Sequence, residues 1–189
     1  MGRVGNHVQH QFDGSPRDKT AVAFISDQEI LKTYVTHQMM SYFQTKVPML
    51  SYGALSLRIC ELLKYLVLVQ FSPGRILFGK EIDEIWHYWI LQTRQYAQLC
   101  EKLPGHTFHH HSSRDYQDSA DAADSVSIAS ALQRAISFFV SYYRNFGPMT
   151  DDRLVCWPPL QQIAKEAEWD IKDLNAFLHE QATGNASDN

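Results

Sequence analysis

With 189 residues, of which 44% are hydrophobic and 12% aromatic, the chain is long enough for one domain with a substantial core and has the make-up of a soluble globular protein. A formal charge of -4 and a pI near 6.1 make nucleic acid a disfavoured partner, since polyanion binders carry a basic excess or stripe. Cys60, Cys100 and Cys156 are widely spaced and form no CxxC pair, which excludes a zinc knuckle or a redox dithiol and points to a reduced, cytoplasmic setting.

The start, MGRVGNHVQHQFDGSPRDKT, has no apolar run for a signal peptide, and Asn6 stands where a myristoylation signal needs Ser or Thr. Neither export nor lipid anchoring is expected. Residues 1–20 read as a flexible arm, residues 21–183 as a helical domain and residues 184–189 as a disordered tail.

Helical signals begin at Ser26, where SDQE spells a capping box with Glu29, and Ile30, Tyr34, His37, Met39 and Met40 supply an apolar stripe for a helix over about 27–45. After Pro48, a second helix over about 52–70 places Leu55, Ile59, Leu62, Leu63, Leu66 and Val69 at helical spacing. Arg58, Glu61 and Lys64 interrupt that segment, so it reads as a buried helix and not a membrane span. A third helix, about 80–103, stops at Pro104-Gly105, and a polar stretch rich in His, Ser and Asp fills 104–123. A fourth, about 124–146, puts Ile128, Leu132, Ile136, Phe139 and Tyr143 on one side. MTDDRLVCWPPL reads as a loop. A short helical segment from Pro159 to Trp169 and a last helix capped by Asp170 complete the pattern. The class is all-α: a compact single-domain bundle of about five to six helices with a long His-rich loop.

The third helix carries the chemistry. At about 100° per residue, Ile82, Ile85, Trp86, Trp89, Thr93, Tyr96, Cys100 and Leu103 share the face expected in the core. Glu84, Tyr88, Gln95 and Lys102 share a wet face, while Asp83, His87, Ile90 and Arg94 share a mixed one. Asp83 and His87, four residues apart, can meet, so the carboxylate can orient the imidazole for a metal or join it as a ligand. Glu84 and His87 also spell the ExxH pairing of di-iron bundles, but a second ExxH is missing. Beyond the helix lie His106, His109, His110 and His111, close after Cys100. Imidazoles are the commonest protein ligands of zinc, copper and iron, yet Cys-x5-His-x2-His is not a closed zinc spacing.

The order D-E-x-W-H-x-W-I-L-x-T-x-x-Y-x-x-L-C-x-x-x-x-G-x-x-x-H-H, from Asp83 to His110, closely resembles the signature of the glycine-rich-domain-containing-protein-like family, in the short bacterial form without the glycine-rich region. Asp83, Trp86, His87, Ile90, Leu91, Thr93, Tyr96, Cys100, Gly105, His109 and His110 carry the likeness. YYRNFG at 142–147 and VCWPP at 155–159 carry it more weakly. Many relatives have a second histidine two residues after the first, where this chain has Trp89. The resemblance implies a compact helical domain and brings no reaction with it.

Two readings follow. In the first, Asp83, His87, His109 and His110 hold a divalent transition metal (zinc, iron or copper) in a metal-binding protein, with a small metalloenzyme as one version of it. In the second, the same groups form a hydrogen-bond lock in a non-catalytic interaction module. The partner is a small molecule or a protein, with no membrane involved. Whether the chain is an enzyme stays open, since it has no nucleophile elbow, phosphate loop, HExxH or dinucleotide fingerprint.

Overall fold

The computed structural model describes residues 24–71, 76–103 and 125–184, and all regular structure among them is helical. Nine α-helices occur there: α1 (Asp27–Tyr34), α2 (His37–Lys46), α3 (Tyr52–Leu68), α4 (Lys80–Leu91), α5 (Thr93–Lys102), α6 (Ser125–Phe146), α7 (Asp151–Leu154), α8 (Pro158–Glu166) and α9 (Ile171–Gly184). A 3-10 turn, Val69–Phe71, tightens the end of α3. The all-α expectation holds, and five to six helices is too few. The expected His-rich loop lies outside the described residues.

Two of the extra helices come from breaks inside expected ones. Ser26 caps α1 with the expected capping box, its hydroxyl accepting from Glu29 N–H while the Glu29 carboxylate accepts from Ser26 N–H at 3.0 Å. The helix then stops at Val35, which is extended, and Thr36 caps a new helix by accepting from Met39 N–H. A β-branched pair ending in a good N-cap residue is the physical cause. The same kind of interruption falls at Gln92 (φ -89°, ψ 65°), whose N–H donates to Trp89 O before its own carbonyl opens α5. A short helix, α7, also forms where a loop was expected.

The Gln92 break redistributes faces. Ile82, Ile85, Trp86 and Trp89 are buried as expected, but Thr93 is exposed and Leu99 is in the core instead. Ten residues of straight helix span about 15 Å, yet Trp86 Nε1–H donates to Tyr96 Oη at 3.2 Å, so α5 turns its tyrosine back onto α4.

Packing centres on α3, which touches α1, α2, α4 and α6. Every residue from Ile59 to Leu68 is buried, including two charged ones. Against it lies an aromatic layer: Tyr65 packs edge-on to Phe78 and Trp86, and Trp157 sits among Phe138, Phe139 and Tyr142. The buried residues of α6 are Ala135, Phe138, Phe139, Val140, Tyr142 and Phe146. Of the others expected there, Leu132 is exposed, Ile136 and Tyr143 lie half-buried at the margin, and Ile128 falls where side chains are not described.

Both ends of the described domain fasten to the C-terminal end of α6. Ile25 N–H donates to Asn145 O, and Phe24 packs edge-on to Tyr143 and against Gly147, which has a φ of +81° and where a Cβ would come within 3.0 Å of the Phe24 ring. From the other side, His179 stacks edge-on to Tyr143 and Arg144 donates twice to Ala182 O. The Asn175 amide accepts from Met149 N–H and donates to Met149 O, tying α9 to the turn after α6.

The two placements of the α5 face differ measurably. Leu99→Ala is expected to cost about 2–5 kcal/mol in urea unfolding, and Thr93→Ala to stay within about 0.5 kcal/mol. The opposite order would restore an unbroken helix from 80 to 103.

Candidate functional site

The exposed candidate is the Asp83–His87 pair on α4. His87 Nδ1 lies 2.7 Å from the Asp83 carbonyl oxygen and 3.5 Å from Asp83 Oδ2. A carbonyl only accepts, so Nδ1 carries the hydrogen and the lone pair of a neutral ring is left on Nε2. The imidazole is 46% exposed and the Asp83 side chain 15%. Sequence reasoning placed these two together, and they are.

The neighbouring candidates separate from the pair. Glu84 accepts from Tyr88 Oη at 3.2 Å on the wet face, so the ExxH reading has no support here, and that hydrogen bond holds the Tyr88 phenol above its usual range. Trp89, at the position where many relatives of the resembled family have histidine, is buried edge-on to Phe43, about 200° around the helix from His87. Cys100 is half-buried beside Tyr96, and burial pushes its thiol up, away from the thiolate that a metal prefers. His109 and His110 lie outside the described residues, as do His106 and His111. Among the described residues no three His, Cys, Asp or Glu side chains group to hold a metal.

A second polar system was not anticipated. Glu61 and Lys64 of α3 are both fully buried. Glu61 Oε2 accepts from Trp157 Nε1–H at 2.7 Å, the Tyr142 hydroxyl donates to the same carboxylate at 2.8 Å, and Lys64 Nζ donates to Oε1 at 2.8 Å. Lys64 also donates to Tyr142 Oη at 3.1 Å and lies 2.8 Å from Asp27 Oδ1. Asp27 Oδ2 is held by Arg153 NH2 at 2.9 Å, and Arg153 Nε lies 3.8 Å from Glu61 Oε1. Two formal negative charges thus face two positive ones, the condition under which charges persist in a core.

The cluster shapes its surroundings. Burial, with the charge of Glu61 adding to it, drives the Tyr142 phenol well above its usual range and keeps it a donor. Cys60, whose thiol faces Asp27 O at 3.6 Å, is pushed up to about 12 by burial and then by the Asp27 charge. Cys156 is likewise pushed up to about 12, by burial and then by Glu61. Both are inert structural thiols at neutral pH.

A signal for this cluster is present in the sequence. In CELLKYLVLV, Glu61 and Lys64 stand i, i+3 on one face that also carries Leu68, and apolar residues fill the rest of each turn, so little of that helix is left to meet water. Assigning Tyr143, and not Tyr142, to the core face of α6 hid the phenol that completes it.

A family described as UCP032817-like matches residues 26–154. The chain belongs to the UCP032817-like family. The matched span of this UCP032817-like protein contains Asp27, Glu61, Lys64, Asp83, His87, Tyr142 and Arg153, and stops short of Trp157. No curated protein and no solved structure matches the chain. These findings do not bear on the glycine-rich-domain resemblance.

Glu61→Gln leaves Lys64 and Arg153 with one carboxylate between them and is expected to destabilise by about 3–5 kcal/mol in denaturant unfolding, as a broken buried pair does. A loss under about 1 kcal/mol would show that the cluster is solvated. For the thiols the folded value is raised from 9.0 to about 12, so the unfolded chain releases protons first. Their contribution is therefore fully present below 9.0 and is lost as pH rises toward about 12. Urea midpoints measured across that window should fall, and less steeply in Cys60→Ala.

Proposed function

We propose that this UCP032817-like protein binds a divalent transition metal, zinc, iron or copper, with His87 Nε2 as a ligand, Asp83 beside it, and His109 and His110 as the further imidazoles. The observation that carries this reading is the 2.7 Å bond from His87 Nδ1 to the Asp83 carbonyl. It sets the tautomer and ring orientation in the way that supporting bonds do at metal-bound histidines, and it leaves the coordinating nitrogen on a ring that is half exposed. The sequence after α5 fits the same ligand class, since His109, His110 and His111 are consecutive imidazoles. What the metal would act on is a small molecule or a protein partner.

Elemental analysis of untagged protein, purified without a metal column, tests the proposal. Wild type is expected to hold metal in stoichiometric amount, and His87→Ala to lose it while keeping its helical circular dichroism. Equal metal in the variant would overturn His87 as a ligand. Metal-free wild type that loses stability on His87→Ala would leave the other reading, a hydrogen-bond lock in an interaction module.

A further inference from the structure

Asp27 belongs to α1 yet completes a cluster built by other elements. The helix buries only Ile30 among its own eight residues, with Leu31 and Tyr34 packed at the margin of the core. It packs along α3, where the Cys60 thiol faces Asp27 O at 3.6 Å, and it reaches the cluster through the Asp27 carboxylate, set between Lys64 Nζ at 2.8 Å and Arg153 NH2 at 2.9 Å. Lys64 is fully buried, Arg153 is 18% exposed and Asp27 is 30% exposed, so Asp27 is the member on the solvent side.

Removing that carboxylate leaves Glu61 against Lys64 and Arg153, a buried excess of one positive charge. Such an excess demands an anion. Geometry selects which: Lys64 and Arg153 address the two oxygens of one carboxylate separately, a spacing that a single-atom anion such as chloride does not match. Asp27 Oδ1 is out of water and meets Lys64 Nζ at 2.8 Å as a charge pair. The rings of Tyr142 and Phe146 lie beside the Lys64 ammonium, with Nζ 5.2 and 5.5 Å from their centroids.

We infer that Lys64 and Arg153 form a carboxylate-binding site that Asp27 occupies as an internal ligand, and that an external monocarboxylate takes its place when α1 lifts. The ligand class is a small monocarboxylate whose non-polar part takes the place of the Asp27 side chain.

Acetate is the probe and acetamide its neutral isostere, both used on the full chain. Asp27→Ala is expected to have a lowered Tm that acetate raises saturably and acetamide does not. In Asp27→Ala/Arg153→Met the acetate response is expected to vanish. If Asp27→Ala does not fold in dilute buffer, regain of helical circular dichroism in acetate and not in acetamide carries the same positive result. Equal response to acetate and acetamide, or response to neither, overturns the site. In wild type, acetate at the concentration that saturates the variant should speed amide hydrogen exchange over Ile30 to Tyr34, with chloride and acetamide leaving it unchanged. Unchanged exchange in acetate overturns the displacement of α1.

Discussion

Glu61 is the group on which the helical arrangement depends. A carboxylate at the centre of an apolar helix has no route to water, so every lone pair must be answered from within. The answers come from an indole after α7, a phenol on α6, an ammonium one turn along α3 and a guanidinium on α7. The indole, the phenol and the ammonium arrive at 2.7–2.8 Å, and the guanidinium stands at 3.8 Å. The apolar layer of Phe138, Phe139, Tyr65 and Trp157 tolerates small slides. The carboxylate does not, and it fixes the register of α6 and of the α7–α8 corner against α3.

Most of the architecture was legible because periodicity, caps and breakers are local. The α1 capping box, the apolar run of α3, the Gly147-Pro148 stop and the Asp170 cap, whose carboxylate accepts from Lys172 and Asp173 N–H, all stand where the residues put them. Helix breaks were less legible, because Val35-Thr36 and Gln92 interrupt patterns whose apolar spacing continues across them. The Asp83–His87 pair could be read from i, i+4 geometry alone. The buried cluster could not, since Asp27 and Arg153 are 126 residues apart and meet only through tertiary packing.

The two polar systems divide the molecule by environment. On α4 the imidazole is half exposed, with Nδ1 committed to the Asp83 carbonyl of its own helix. On α3 the charges are enclosed and answered by one another, and the thiols nearest them are held protonated. The Arg58–Glu81 ion pair at 2.7 Å links the two helices.

Tyr143 has a consequence for topology. Phe24 approaches its ring from one side and His179 from another, while Ile25 and Ala182 bond to the adjacent Asn145 and Arg144. The start and finish of the helical domain are thus neighbours in space although they are nearly the whole chain apart. A short linker could join them at small loop-closure cost, and the cyclised or permuted chain would keep every helix contact, with the exposed turn at Met49 as a natural place to open it.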